Sequence, residues 1–267
     1  MEKLVVVTGA TTGTGYCVAQ KFAAGGYHVC LTSRDGQRAR EAAEKLKAEA
    51  GGAVETFGYG LEVLNEPQMA AMFDDLKARG YLVSTLVLVA ANMGINMPGF
   101  FDVDFQDWIR VIDTNIGWNF MFCRQAARHM VQRGGGAIVV IGSVNGIRTT
   151  KNRSAYCTSK SGLHGLARNL AVELGSLNIR VNTVVSGGIK TARYYARPEI
   201  QNSPHNQNPM GDIAEFQDIA NAAYFLADDE QSRIITGAEL AVDGGSLAQF
   251  VYEEEGIRLS DGATIAD

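Results

Sequence analysis

The chain has little from which to build a metal centre, a disulfide framework or a membrane anchor. Its four cysteines are Cys17, Cys30, Cys123 and Cys157, which form no C-x-x-C pair and no metal-ligand spacing. They read as buried or free thiols in a reducing compartment. The four histidines, His28, His129, His164 and His205, are equally scattered, so no metal site is expected. No apolar run approaches the ~20 residues of a membrane span. The N-terminus enters a strand-like run at once, without the pattern of a secretory signal. Together these absences predict a cytoplasmic protein with no membrane partner. Lysine and arginine number 24 against 29 aspartates and glutamates, a net charge of −5. That balance argues against a broad nucleic-acid surface.

What is present is a regular alternation of strand-like and helix-like segments. Strands are predicted at Leu4–Val7, Val29–Thr32, Val54–Phe57, Leu86–Val89, Ala137–Ile141, Val181–Val185 and Glu239–Val242. Between them lie helical stretches to about Ala24, over Asp35–Ala50, over Glu66–Arg79, from near Val103, and over Ser154–Gly175. Apolar strands separated by helices predict a parallel sheet covered on both faces. The expected architecture is α/β: one Rossmann-like, doubly wound domain over residues 1–267, with about seven parallel strands. Two segments break the rhythm. Residues 191–211 carry Tyr194, Tyr195 and three prolines, and read as a substrate-binding loop. The tail after Gly245, residues 246–267, holds Phe250, Val251 and Tyr252 before an acidic run.

Thr8-Gly9-Ala10-Thr11-Thr12-Gly13-Thr14-Gly15 joins the first strand to the first helix. Glycines there permit a tight turn and close backbone approach to a pyrophosphate, and the helix N-terminus adds free N–H donors. The spacing is Gly-x-x-x-Gly-x-Gly rather than Gly-x-Gly-x-x-Gly. The second strand ends at Ser33 followed by Arg34, with Arg38 a helical turn further on. A guanidinium suits a 2′-phosphate where an acidic residue would repel it. NADP(H) is therefore the expected cofactor, with NAD(H) left open, because Arg34 can also be a solvated loop residue and Asp35 a helix cap.

Tyr156 and Lys160 lie four residues apart and share a helix face. An ammonium beside a phenol favours the phenolate and lowers the tyrosine pKa. Ser143 precedes them at the end of an apolar strand. The pair, the serine and the glycine loop together point to hydride chemistry on a nicotinamide.

With Thr8-Gly9-x-x-x-Gly13-x-Gly15, Ser143 and Tyr156-x-x-x-Lys160 in order, the chain resembles the short-chain dehydrogenase/reductase family from about Lys3 to Ser246. The resemblance implies that Tyr156 is the general acid or base and that Ser143 binds the substrate oxygen. It implies that Lys160 tunes Tyr156 and holds the nicotinamide ribose. Asn115 would support a water linking Lys160 to solvent. It places Glu62 and Val63 at the adenine, and Asn92, Gly94, Gly187, Gly188, Ile189 and Thr191 at the nicotinamide end. Asn182 and Asp243-Gly244-Gly245 match the sixth and seventh strands of the family. Two departures stand out. The family's Asn-Asn-Ala-Gly is Ala91-Asn92-Met93-Gly94 here, and its Pro-Gly is Ser186-Gly187.

The resemblance implies an oxidoreductase interconverting a small-molecule secondary alcohol and ketone, of moderate size and apolar or cyclic, such as a hydroxysteroid. Asn145, Ile147, Met93, Tyr194 and Tyr195 are pocket candidates beside Ser143 and Tyr156. A 3-oxoacyl-carrier-protein reductase is the alternative; Arg124, Arg128 and Arg133 would then meet the acidic carrier. A sugar-nucleotide epimerase fits less well, since such relatives generally use the other glycine spacing and a longer C-terminal domain. A catalytically silent cofactor-binding scaffold is the alternative of another class. The resemblance also implies a homotetramer or homodimer joined through helices at about 103–132 and 154–175. Of the remaining residues, His164 and Cys157 read as packed side chains near the pair.

Overall fold

Leu4, Val5, Val6 and Val7 have no exposed surface in the computed structural model, which describes residues 2–94, 99–196 and 208–249. They form strand β1 (Leu4–Thr8) at the middle of the molecule. Successive side chains point to opposite faces. Val5 and Val7 join a core with Phe22, Leu31, Leu46 and Leu226, while Leu4 and Val6 join another with Phe73, Leu86, Phe122 and Leu163. A strand covered on both sides must be apolar throughout, which is how this one reads.

The other strands are β2 (His28–Ser33), β3 (Thr56–Gly60), β4 (Val83–Leu88), β5 (Gly136–Ile141), β6 (Ile179–Ser186) and β7 (Glu239–Val242). The seven form one parallel sheet in the order β3-β2-β1-β4-β5-β6-β7. Helices α1 (Gly13–Ala24) and α2 (Gly36–Glu49) follow β1 and β2. Helix α3 (Glu66–Ala78) leads to β4, and α4 (Phe105–Ile112) and α5 (Trp118–Arg133) lead to β5. Helix α6 (Ser154–Leu174) precedes β6; α7 (Ala192–Ala196) and α8 (Phe216–Ala227) precede β7. The strand order reverses between β1 and β4. A crevice opens there at the carboxyl ends of the strands, the usual ligand position in such sheets.

Several elements differ from the sequence expectation, including β4, which starts at Val83 rather than Leu86. Strand β3 starts two residues later than Val54 and runs to Gly60. A Cβ on Gly58 would lie 2.3 Å from the Ala39 carbonyl oxygen, and one on Gly60 would lie 2.6 Å from Gly36 Cα. These glycines let α2 sit directly on the strand, although they read as breakers. The helix expected from Val103 is divided by a π-helical turn over Asp113–Gly117. Helix α8 has no counterpart in the sequence reading, despite apolar Ile219, Ala220, Ala223 and Leu226 on one face.

Parts of the two irregular segments, 197–207 and 250–267, lie outside the described residues. No helix among the described residues is long and apolar enough to cross a membrane, and none of their His, Cys, Asp and Glu side chains cluster as a metal site.

Candidate active site

The glycine loop adopts the geometry that its sequence requires. Gly9 and Gly13 have φ of +62° and +56°, in the left-handed region. A Cβ on Gly15 would stand 2.3 Å from the Gly9 carbonyl oxygen, so the loop folds onto the start of α1. Thr12 precedes that helix without a side-chain cap. The first-turn N–H groups are thus open to an anion beside Thr11, Thr12 and Thr14. Thr8 Oγ1 accepts from the amides of Val89 and Ala90 at 2.9 and 3.1 Å, joining the ends of β1 and β4 beneath the loop. Positive φ, close backbone approach and an uncapped helix start fit a dinucleotide pyrophosphate.

Arg34 and Arg38 are exposed at the end of β2. Asp35 caps α2, accepting from the amides of Gln37 and Arg38, while its own amide donates to Ser33 Oγ at 3.2 Å. Arg38 Nε lies 3.5 Å from the Asp35 carboxylate, so part of its charge is already answered. Arg34 leads this edge as the phosphate candidate. Glu62 accepts from Asn65 at 3.2 Å and its amide donates to Gln68 Oε1 at 2.9 Å, which fixes the approach to α3. Val63 packs on the core that holds Leu4, Val6 and Phe73.

Asn115 is fully buried in the π-helical turn. Its Oδ1 accepts from the Asn92 amide at 2.6 Å, and its Nδ2 donates to the Asn92 carbonyl at 2.8 Å and to Ser159 Oγ at 2.9 Å. Its carbonyl accepts from Asn119 Nδ2 at 2.9 Å. The side chain therefore clamps the end of β4 to α6. Asn92 Oδ1 in turn accepts from the amide of Gly94, whose φ is +80°.

Ser143 begins the turn after β5, and its Oγ accepts from the Asn145 amide at 3.2 Å. The Ser143 side chain favours the phenolate of Tyr156, as does the charge of Arg153. Burial opposes both and leaves the phenol above its ordinary value. Lys160 is 3% exposed, and its Nζ donates to the Ile141 carbonyl at 2.8 Å and lies 5.8 Å from the Tyr156 ring centroid. Burial lowers its pKa to about 8. The ammonium is bound to the end of β5, and Ser143 and Arg153 supply the downward pull.

A cleft of about 220 Å³ opens against Tyr156, lined by Met93, Val103, Trp108, Val111 and Arg153. Of these, only Met93 was anticipated. Arg153 carried a usable signal, one helical turn before Tyr156. Trp108 and Val111 belong to α4, whose approach depends on packing. Asn145 is half-buried, with its Oδ1 accepting from Thr150 at 2.8 Å. Ile147 is exposed. Tyr194 and Tyr195 stack edge to face in α7 and do not line this cleft. Gly187 sits where a Cβ would meet Asp243 Cα at 2.8 Å; Ile189 bridges to Ala214, and the Thr191 amide bonds the Ile189 carbonyl. In place of the family's proline, Ser186 donates its hydroxyl to the Gly142 carbonyl at 3.1 Å, tying β6 to the Ser143 turn.

The family model described as Enoyl-(Acyl carrier protein) reductase matches residues 9–246. With the sheet and the Ser143, Tyr156 and Lys160 cluster, this places the chain in the short-chain dehydrogenase/reductase family, whose members are NAD(P)(H)-dependent oxidoreductases. Its relatives span several substrates. A trans-4-hydroxycyclohexanecarboxylate dehydrogenase from Sinomonas cyclohexanicum is 35% identical over 92% of this chain and 93% of its own. A 3-oxoacyl-[acyl-carrier-protein] reductase from Chlamydia trachomatis is 31% identical over 92% and 97%. A 3α-hydroxysteroid dehydrogenase from Mediterraneibacter gnavus is 34% identical over 92% and 97%. Among solved structures, a short-chain type dehydrogenase/reductase from Mycobacterium ulcerans has a TM-score of 0.87 at 28% identity, covering 93% of this chain and 91% of that one. A 7α-hydroxysteroid dehydrogenase complexed with NADH and 7-oxo glycochenodeoxycholic acid scores 0.82 at 30%, covering 91% and 93%. The protein ElxO with NADP bound scores 0.82 at 29%, covering 93% and 100%.

Proposed function

We propose that this chain is an NADP(H)-preferring oxidoreductase interconverting a secondary alcohol and a ketone of moderate size, apolar or cyclic, such as a hydroxysteroid. The observation that carries this reading is the convergence of three side chains: Tyr156 lines the cleft, Ser143 on the turn after β5 favours its phenolate, and Lys160 is buried with its Nζ 5.8 Å from the Tyr156 ring centroid. The loop Gly9 to Gly15, with Thr11, Thr12, Gly13 and Thr14, holds the pyrophosphate. Ser33, Arg34 and Arg38 hold the 2′-phosphate, and Glu62 and Val63 face the adenine. Asn92, Gly94, Gly187, Ile189, Thr191 and Lys160 serve the nicotinamide end.

When bound, the nicotinamide supplies or accepts the hydride at the substrate carbon. Tyr156, kept protonated by burial, gives its phenolic proton to the carbonyl oxygen in reduction. Ser143 donates to the same oxygen as charge develops. In oxidation Tyr156 takes the alcohol proton instead. Asn115 holds the Asn92 backbone and the Ser159 hydroxyl that frame the site. Asn145 and Tyr194 are the further substrate contacts in this reading. The cyclic-alcohol and hydroxysteroid relatives support the substrate class.

The same reading treats residues 1–267 as one domain, with 191–211 as the substrate loop and 246–267 as a tail. It places the protein in the cytoplasm as a homotetramer or homodimer. A groove of about 610 Å³ between α5 and α6, away from Tyr156 and lined by Phe120, Ala127, Leu170 and Leu174, supports subunit contact there. The second reading, a 3-oxoacyl-carrier-protein reductase, draws support from the Chlamydia relative. The arginines it needs are partly engaged: Arg124 pairs with Glu66, and Arg133 donates to the Glu2 carbonyl at 2.7 Å.

The test is a parallel fluorescence titration with NADPH and NADH, followed by turnover on cyclic ketones, oxo-steroids and 3-oxoacyl thioesters. NADPH binding with cyclic-ketone or oxo-steroid turnover supports the proposal. Thioester turnover alone moves the assignment to the second reading. Binding without any turnover returns a silent scaffold.

A further inference from the structure

His164 lies one helical turn beyond Lys160 on α6, on the face that carries Tyr156. It is 2% exposed and takes no part in the chemistry described above. Its Nε2 accepts from the Ser143 amide at 3.2 Å. An acceptor nitrogen bears no proton, so the neutral ring carries its proton on Nδ1. That nitrogen faces β7, where Glu239 Oε2 lies 3.4 Å away. The two atoms are within ion-pair range but not aligned as a hydrogen bond. The other oxygen of Glu239 is paired with Arg168.

The space for this ring is made by glycines. A Cβ on Gly142 would lie 2.3 Å from Nε2, and one on Gly146 would lie 2.8 Å from Cε1. Both belong to the turn that presents Ser143. The imidazole therefore fills the underside of that turn and holds its backbone from below.

We propose that His164 is a positioning residue for Ser143: Nε2 anchors the serine's amide, and Glu239 keeps the ring's proton on the opposite nitrogen. The inference rests on the oxidoreductase reading for its kinetic consequence, but the tautomer does not. The charged groups facing the ring are Lys160 and Arg168 from its own helix and Glu239 from β7. Burial and the two cations favour neutral imidazole, Glu239 opposes them, and the net direction is downward. A second proton would sit on Nε2 against the Ser143 N–H and release the turn.

The experiment compares His164→Gln with His164→Leu, alongside ¹⁵N spectra of the wild-type imidazole. Glutamine can offer its amide oxygen near the Nε2 position, whereas leucine offers only volume. Leucine is expected to lower kcat about 10²-fold, as for a misplaced reacting group, with KM little changed; glutamine restores most of that loss. The spectra are expected to show Nδ1 protonated and Nε2 bare at neutral pH. The acid limb of kcat in the wild type should vanish in His164→Gln. Equal kcat in the two variants, or a proton on Nε2, overturns the proposal. Should His164→Leu fail to fold, the pH profile of His164→Gln and the spectra still decide. Absence of turnover in every protein would sink the oxidoreductase reading alone, since the tautomer is read without turnover.

Discussion

Lys160 Nζ is bound to the carbonyl oxygen of Ile141 at 2.8 Å, so the charge expected to act on Tyr156 is anchored to the end of the central sheet. Two demands meet at this ammonium. The proposed site needs a cation next to the nicotinamide ribose, and burial disfavours one. The disfavour shows in a pKa lowered from 10.5 to about 8. Functional sites commonly retain such locally unfavourable groups, and the rest of the fold offsets them.

This conflict predicts a pH-dependent stability. The unfolded chain keeps the lysine proton up to 10.5, whereas the folded chain releases it near 8. Between those values the unfolded state binds more protons, so rising pH favours folding. Below about 8 both states hold the proton and the cost of the buried charge is fully present. Thermal unfolding of Lys160→Met and wild type should therefore diverge with pH. The wild type should gain on the variant from pH 8 towards 10.5, by an amount on the order of a few kcal/mol. A difference that stays constant across this window would show that Lys160 titrates normally.

Tyr156→Phe removes the proposed proton donor while keeping the ring. Turnover should fall by at least about 10²-fold, the lower end of general acid–base contributions. NADPH affinity, measured by fluorescence, should change little, because the glycine loop and Arg34 are untouched. Near-normal turnover would rule out Tyr156 as the acid.

The sheet was readable because its strands are buried on both faces, which makes β1 and β5 near-continuous apolar runs bounded by glycine and polar residues. The pairing of Tyr156 and Lys160 was readable because a fixed helical spacing places them on one face. What escaped depends on contacts between distant segments. Gly58 and Gly60 look like breakers until α2 is seen lying against them. The π-helical turn that delivers Asn115 is marked only by a cluster of weak helix formers, Asp113, Thr114, Asn115 and Gly117, inside an otherwise helical spacing. His164 read as a packed side chain, because its partners, Ser143 and Glu239, come from β5's turn and from β7. The direction of the Lys160 ammonium is likewise set by Ile141, 19 residues away.

Arg180 predicts a purely structural weakness at a distance from the site. Its side chain is 8% exposed and its guanidinium donates to the carbonyls of Leu226 and Ala227 at the end of α8, to Ser232 Oγ and to Asp229. It thus terminates α8 and ties it to β6. Arg180→Met keeps the stem and leaves those carbonyls without the cation. A loss of about 1–3 kcal/mol is expected from leaving buried carbonyls unpaired, since Asp229 is 68% exposed and returns to solvent. Urea unfolding would measure it. A variant as stable as wild type would mean that water or a neighbouring side chain takes over the cap.

Arg34 is the residue on which the proposed cofactor choice turns. It stands exposed at the end of β2, next to the loop proposed to hold the pyrophosphate, and it has a neighbour of opposite sign in Asp35. Asp35 is not free to act as a ribose acceptor in the usual way, because its Oδ1 already receives the amides of Gln37 and Arg38. With the Asp35 carboxylate turned into its cap, Arg34 can pair with a 2′-phosphate through two parallel N–H donors. Arg34→Ala should therefore weaken NADPH by about tenfold or more, equivalent to ~1.4 kcal/mol, and leave NADH nearly unchanged. Arg38→Ala should cost less, since its guanidinium is shared with Asp35 at 3.5 Å. Direct titration of both variants with both nucleotides decides the point. Equal losses for NADPH and NADH would assign Arg34 to the solvated surface and return Asp35 to consideration as the group that selects NADH.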